Sequence, residues 1–190
     1  EWYGEFGEGP DHGENQFLVP VALDFDKDDR LYVTDESLHQ IKIFDKHGNF
    51  IEAWGRDTAK VSNLQGPSGI CVDNQGEIVV VEQYPGRITK ISSIGDIKFS
   101  FGESGSGEGQ FDLPWGVTVD NEDNIYVADW RNDRVQKFTT NGEFIMCIGT
   151  SGSAPGELKR PSGVAVDKDG SIYVADWGNE RVQIFDSNGS

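Results

Sequence analysis

The sequence predicts an all-β fold, a β-propeller of four four-stranded blades, and three observations support this prediction. A run of similar residues occurs four times in the 190 residues, and each copy opens on a proline: Pro20, Pro67, Pro114 and Pro161. Consecutive prolines are 47 positions apart (67 − 20, 114 − 67), and an aspartate six residues later keeps the same step. The copies consist of short β-branched runs separated by Gly-, Asn- and Asp-rich turns. Repeats of roughly 40–50 residues with this composition are typical of propeller blades.

The last repeat shows the order of its strands. Residues 161–167 are small or β-branched and predict an inner strand close to the propeller axis, followed by a tight turn at 167–170. Residues 172–175 are strong β-formers and predict the second strand. Arg181–Phe185 alternates polar and apolar residues, as a half-buried third strand does, and residues 186–189 predict a hairpin turn.

A fourth strand is expected in the first three repeats, where an apolar segment ends in a glycine at 50–55, 97–102 and 144–149. The last repeat has no such segment, but residues 1–7 end in the similar pair Phe6-Gly7. We therefore expect the N-terminal strand to complete the last blade and close the ring, which removes an exposed sheet edge. The alternative is that the chain forms part of a larger ring. Either way we expect one domain over 1–190, with repeats at about 8–55, 56–102, 103–149, and 150–190 plus strand 1–7.

The charge of the chain limits its partners. Its 33 acidic and 16 basic residues give a formal net charge of −17, which repels phosphate backbones and anionic lipids. The longest apolar runs, such as residues 78–81, are too short to span a bilayer. We expect neither nucleic-acid binding nor membrane insertion.

Two of the repeats resemble the core of an NHL repeat. Residues 125–138 and 172–185 both read Ile-Tyr-Val-Ala-Asp-Trp, continue through Arg-Val-Gln and end in Phe, and an Asn-Gly turn follows. The first two copies depart from the pattern, since Gln40 replaces the arginine in one and Glu82 and Pro85 replace the aspartate and asparagine in the other. The resemblance implies four-stranded blades, most often six to a ring. Four repeats are fewer than six, so the chain forms a smaller ring, a fragment or one part of an assembly.

An acidic residue ends the second strand of every repeat, and in three repeats an arginine stands five residues later. We interpret these as local structural pairs in which the carboxylate also accepts backbone N–H groups. The pairs are Glu82–Arg87, Asp129–Arg134 and Asp176–Arg181. The alternative is a ring of carboxylates around a cation, for which calcium is the candidate. We otherwise expect no metal and no cofactor.

Three tryptophans are expected on one face of the propeller. Trp130 and Trp177 stand in the loop between the second and third strands, and Trp115 stands at the start of a first strand. These two regions lie at the same end of a four-stranded blade. Large aromatics beside arginines are typical binding anchors. We therefore predict that these tryptophans bind a partner together with Arg131 and Arg160; the alternative is that each tryptophan packs against the neighbouring blade.

The sequence contains no catalytic constellation that we recognise. The leading hypothesis is a non-catalytic binding or scaffold module that presents loop residues on one face to a protein, peptide or glycan partner. One alternative is a metal-dependent lyase or lactonase-type hydrolase, because six-bladed relatives of similar shape carry a central calcium or zinc. Another is a structural subunit of a larger extracellular assembly, including self-assembly of several chains into one ring.

Overall fold

The computed structural model describes residues 4–7, 13 and 15–190. Its four blades follow one another along the chain, and each is an antiparallel sheet in which consecutive strands pair. The strands of the first blade are β1 (Pro20–Phe25), β2 (Leu31–Asp35), β3 (Gln40–Phe44) and β4 (Phe50–Gly55). Those of the second are β5 (Pro67–Val72), β6 (Ile78–Glu82), β7 (Arg87–Ile91) and β8 (Ile97–Phe101). The all-β propeller prediction is confirmed.

The third and fourth blades contain an additional element in their central loops. The third has β11 (Pro114–Val119), β12 (Ile125–Asp129), a 3₁₀ helix (Trp130–Asn132), β13 (Arg134–Phe138) and β14 (Phe144–Ile148). The fourth has β17 (Pro161–Val166), β18 (Ile172–Asp176), a 3₁₀ helix (Trp177–Asn179) and β19 (Arg181–Phe185). Each 3₁₀ helix ends at a residue in the left-handed region, Asp133 at φ 54° and Glu180 at φ 55°. This sharp turn leads the chain into the third strand.

The connections between blades contain short parallel pairs that the sequence did not predict. They are β9 (Glu103–Ser104) with β10 (Gln110–Phe111), and β15 (Thr150–Ser151) with β16 (Glu157–Leu158). A two-residue strand is too short for its periodicity to be recognised in a sequence.

Strand register explains why the acidic residues meet the arginines. Asp129 is the direct cross-strand partner of Arg134, and Asp176 is the partner of Arg181. Glu82 stands opposite Arg87 in the same way. The five-residue spacing therefore places both members at the same end of their hairpin.

The core consists of layers between consecutive blades. Tyr32, Ile41 and Ile43 of the first blade pack against Ile70 and Val80 of the second, and all five are at most 5% exposed. The following pairs of blades enclose similar buried apolar layers. Because each layer needs two blades, a blade is stable only beside its neighbours.

The inner strands of neighbouring blades approach each other closely. The Thr34 hydroxyl donates to the Ser68 carbonyl at 2.7 Å, which links the first blade to the second. A Cβ added at Gly69 would collide with the carbonyl oxygen of Trp115, and one added at Gly116 would lie 2.8 Å from that of Ser162. Glycine is required at these two positions because the next strand leaves no room for a side chain.

The prediction that the N-terminal strand completes the last blade is wrong for the described residues. The fourth blade is a three-stranded sheet of β17, β18 and β19, and residues 4–7 form no strand. Phe6 instead packs on Phe44 of the first blade, with ring centroids 4.7 Å apart. This contact buries apolar surface against the adjacent first blade, whereas pairing with β19 requires the two ends of the arc to meet. Residues 1–3 of the expected strand lie outside the described residues.

Apolar side chains are exposed at both ends of the row of blades. Val182 and Ile184 on the fourth blade are 66% and 63% exposed, and Leu23 on the first is 61% exposed. The described chain is therefore an open arc of four blades. No helix within the described ranges is long and apolar enough to cross a membrane.

Candidate partner-binding face

Three indole rings form a continuous platform on the face where the central loops emerge. The ring centroids of Trp115 and Trp130 lie 6.1 Å apart at 62°, and those of Trp130 and Trp177 lie 6.3 Å apart at 46°. Trp115 is 39% exposed and Trp177 is 60% exposed. Together with Ser162 these rings line a cavity of about 650 Å³. We call this surface, Trp115, Trp130, Ser162 and Trp177, the tryptophan platform.

A buried carboxylate fixes the loop that carries Trp130. Asp129 is completely buried, and its two oxygens accept hydrogen bonds from the Asp112 backbone N–H at 2.9 Å and from Asn132 Nδ2 at 2.9 Å. Arg134 Nε donates to the same carboxylate at 2.9 Å and Gln136 Nε2 at 3.2 Å. These bonds surround the turn that carries Trp130, so the backbone of this turn has little conformational freedom.

The fourth blade repeats this arrangement around Trp177. The buried Asp176 accepts from the Lys159 backbone N–H at 2.7 Å, from Asn179 Nδ2 at 2.9 Å and from Arg181 Nε at 2.8 Å. Two adjacent loops of equal geometry therefore present their indole rings side by side.

The two carboxylates nevertheless differ in electrostatic environment. Burial raises the pKa of Asp129 above its usual value, and its hydrogen bonds and Arg134 only partly offset this. Burial also opposes ionisation of Asp176, but bonds from Asn179, the Lys159 N–H and Arg181 outweigh it and lower its pKa. The uncovered side of the fourth blade reduces the desolvation of Asp176.

Two guanidinium groups border the platform. The Arg160 Cζ lies 5.0 Å from the ring centroid of Trp130, and the Arg131 Cζ lies 6.0 Å from it. Both arginines are exposed. Arg131 Nη1 is 3.8 Å from the exposed carboxylate of Asp112, an ion pair weakened by solvent. The structure thus brings together all five residues predicted to bind a partner and places local positive charge in an otherwise acidic molecule.

The remaining acidic residues at the ends of second strands are bound within their own blades. Glu82 Oε1 accepts from Arg87 Nε at 2.7 Å and Thr89 Oγ1 at 2.5 Å. Asp35 accepts from the backbone N–H groups of Leu18 at 2.6 Å and Leu38 at 2.9 Å. Across residues 4–7, 13 and 15–190, His, Cys, Asp and Glu side chains form no group of three or more arranged to hold a metal ion.

Sequence reasoning missed three residues of this face. Ser162 lines the platform, Asp112 pairs with Arg131, and Asp133 Oδ1 accepts the Arg160 N–H at 2.8 Å. Ser162 stands 47 positions after Trp115, so the repeat itself marked it as belonging to the same end of a blade. Asp112 carried no comparable signal, because its contact with Arg131 depends on how the connection before β11 folds onto the central loop. Asp133 carried none either, because its contact with Arg160 joins two repeats.

Comparison with known proteins identifies the repeat. The family model for the NHL repeat matches residues 111–138 and 158–185, which are in the third and fourth blades. Protein brain tumor of Drosophila melanogaster is 31% identical over 102 residues, 53% of this chain and 9% of that protein. The B-box type zinc finger protein ncl-1 of Caenorhabditis elegans is 38% identical over 71 residues, 36% of this chain and 8% of that protein. The chain spans less than a tenth of either relative.

The fold of this chain is similar to those of several solved structures, among them enzymes of different kinds. A catalytically inactive virginiamycin B lyase from Staphylococcus aureus with quinupristin has a TM-score of 0.71 at 18% identity, covering 96% of this chain and 56% of that one. Kuenenia stuttgartiensis hydrazine synthase has a TM-score of 0.69 at 15% identity, covering 92% and 48%. At these identities the likeness shows the fold alone, because one fold carries many chemistries.

Proposed function

The chain carries NHL repeats in its third and fourth blades, and from that premise we propose that it is a non-catalytic binding module for a polypeptide partner. The observation that supports this most is the tryptophan platform. The loops that carry Trp130 and Trp177 are fixed by hydrogen bonds to buried aspartates, yet the Trp177 side chain remains 60% exposed. A rigid aromatic surface loses little conformational entropy on binding, which is why tryptophan is enriched at binding hot spots.

The chemistry of the platform favours a peptide over a glycan. Three of the four lining residues are tryptophans and Ser162 supplies the other lining side chain. Such a surface suits apolar or proline side chains, which dock into aromatic-lined grooves. Arg131 and Arg160 at its border suit an acidic group on the same segment. The proposed ligand is a segment with apolar or proline residues beside an acidic one.

A displayed peptide library selected on the wild-type chain tests this proposal. We expect enriched peptides to combine apolar or proline residues with an acidic residue. Replacing Trp177 with Ala should weaken the best peptide at least tenfold, about 1.4 kcal/mol or more, as measured by calorimetry. The melting temperature should barely change, because this side chain is mostly solvent-exposed.

Ile94→Ala provides the matched control. Ile94 is 65% exposed in the turn between β7 and β8, at the opposite end of its blade from the central loops. Peptide affinity should not change in this variant. Selection of no peptide, or an equal loss of affinity in Ile94→Ala, would contradict a peptide site at the platform. If the wild-type chain bound glycans on an array and Trp177→Ala abolished that binding, the partner would be a carbohydrate and not a polypeptide.

A further inference from the structure

Three hydrogen bonds fix the backbone of the segment that carries Arg160 to the tryptophan platform. The Lys159 N–H donates to Asp176 Oδ1 at 2.7 Å, and the Lys159 carbonyl accepts from the Gly178 N–H at 2.8 Å. The Arg160 N–H donates to Asp133 Oδ1 at 2.8 Å. Arg160 is in the left-handed region at φ 52°, which a residue with a side chain adopts only where its surroundings hold it there. The direction in which its side chain leaves the backbone is therefore fixed.

Asp133 is the residue of the third blade that makes this connection. It directly follows the 3₁₀ helix that begins at Trp130. While its Oδ1 accepts from Arg160, its Oδ2 accepts from the Ser151 hydroxyl at 2.6 Å, so both oxygens are used and the rotamer of the carboxylate is fixed. One side chain thus links the loop that carries Trp130 to the segment that carries Arg160.

The equivalent positions at the other two junctions between blades show how this contact varies. Between the first and second blades, His39 Nδ1 accepts the Gly66 N–H at 2.8 Å, and both residues are left-handed, at φ 56° and 53°. Between the second and third blades, 47 positions later, the equivalent residues are Gly86 and Leu113, and the glycine has no side chain to accept a hydrogen bond. Of the three junctions, only the one beside the platform combines a side-chain acceptor with an arginine.

The Arg160 guanidinium is the cation of the platform that is available to an anion. Its Cζ lies 5.0 Å from the ring centroid of Trp130, and it forms no ion pair with a carboxylate of the described part of the chain. Arg131, by contrast, already has the Asp112 carboxylate 3.8 Å from its Nη1. A guanidinium can contact an aromatic ring through its face and donate to a carboxylate through its edge at the same time.

We propose that Asp133 positions Arg160 to select an acidic residue in the segment bound at the tryptophan platform, an inference that rests on the proposed peptide-binding function. Arg160 donates the charge-assisted hydrogen bond to the acidic side chain. Asp133 is a positioning residue that does not touch the peptide, because both of its oxygens are occupied within the chain and its own charge would repel the acid. The acidic residue lies beside the middle ring of the platform, and its apolar neighbours contact Trp115 and Trp177.

The affinities of two matched peptides test the proposal. The best peptide from the library is made with its acidic residue and with the corresponding amide, and calorimetry gives the ratio of the two dissociation constants. The wild type should favour the acidic peptide by about fivefold or more. Arg160→Ala and Asp133→Ala should both bring the ratio close to unity, and binding of the amide peptide shows that each variant is folded. Asp133→Asn should retain most of the preference, because the asparagine oxygen still accepts the Arg160 N–H and asparagine tolerates the left-handed conformation.

Glu180→Ala is the matched control for Asp133→Ala. Glu180 stands at the equivalent position of the fourth blade, 47 residues later, and is left-handed at φ 55°. Its replacement removes one negative charge and places an alanine in the same backbone conformation. The side chain of Glu180 is exposed and is not part of the contact with Arg160, so the ratio should not change.

Nuclear magnetic resonance of the free chain tests the positioning without a peptide. The ring current of Trp130 should shift the Arg160 side-chain protons upfield in the wild type and in Asp133→Asn. Asp133→Ala should lose this shift, because the Arg160 N–H no longer has its acceptor.

The possible results separate this inference from the proposed function. Peptides that bind equally well as acid and as amide would overturn selection by Arg160 and leave the peptide site intact. An Asp133→Ala variant that keeps both the wild-type ratio and the ring-current shift would overturn the positioning role. A higher ratio in both Asp133 variants would also overturn it, since Asp133 would then act through its charge alone. Selection of no peptide would overturn the proposed function and this inference together.

Discussion

The carboxylates at the ends of the second strands stabilise the blades as much as they position the loops. Asp129 is enclosed between two blades, so its charge has lost the solvation of water and depends on four hydrogen-bond donors. Removing a donor from a buried carboxylate leaves part of the charge uncompensated. The same network around Asp176 lies beside the exposed side chains of β19 and is less strongly desolvated. The same sequence motif is therefore expected to contribute a different amount to the free energy of unfolding in the third blade and in the fourth.

Arg134→Ala and Arg181→Ala measure this difference. Arg134 is 14% exposed and Arg181 is 29% exposed, and each donates through Nε to a carboxylate that is completely buried. We expect Arg134→Ala to lower the free energy of unfolding by about 3 kcal/mol and Arg181→Ala by about 1 kcal/mol in urea titrations of the monomer. Equal losses would contradict the dependence on burial.

The pH dependence of the Arg134→Ala effect follows from the sign of the Asp129 shift. Its pKa in the folded chain is raised, so ionisation costs stability above that pKa and protonation relieves the cost. Removing Arg134 raises the pKa further. The difference in unfolding free energy between wild type and variant should therefore shrink as the pH falls from about 7 to about 4.

At the scale of the element, each blade depends on an aspartate in the turn between its first two strands. Asp120 Oδ1 accepts from the backbone N–H groups of Glu122 and Asn124, both at 2.9 Å, and the Tyr126 hydroxyl donates to Oδ2 at 3.1 Å. Asp26 binds the N–H groups of Asp28 and Arg30 in the same manner, both at 2.9 Å. One side chain thus fixes the turn and anchors the following strand. This explains why the aspartate keeps the 47-residue step.

Asp120→Asn tests the turn through its pH dependence. Burial opposes ionisation of Asp120, but bonds from Asn124 and from the Glu122 N–H outweigh it and lower the pKa. A depressed carboxyl pKa gives stability that is present above about pH 4 and is lost as the pH falls through the folded value. We expect the variant to lose about 1 kcal/mol at pH 7 and to approach the wild type near pH 2, by denaturant titration. The exposed Asp169→Asn is the control and should show neither effect.

At the scale of the whole molecule, local repetition and long-range closure were predictable to different degrees. The strand β19 was predicted at its observed bounds, and the inner strand Pro161–Val166 differs from the prediction by one residue. Hairpin strands depend on turns and alternation within about twenty residues, which a sequence displays directly. The expected pairing of residues 1–7 with the last blade depended on the combined curvature of all four blades. That curvature cannot be predicted from any single segment of the sequence. The structure instead packs Phe6 on Phe44 of the first blade.

The face of the molecule that carries the tryptophans was predictable for the same local reason. A meander of four strands alternates its ends, so residues in the central loop and residues entering the first strand share one end of the blade. That rule placed Trp115, Trp130 and Trp177 together. It could not reveal that Arg160 would lie over the ring of Trp130, because that contact joins two blades and depends on a left-handed residue at φ 52°.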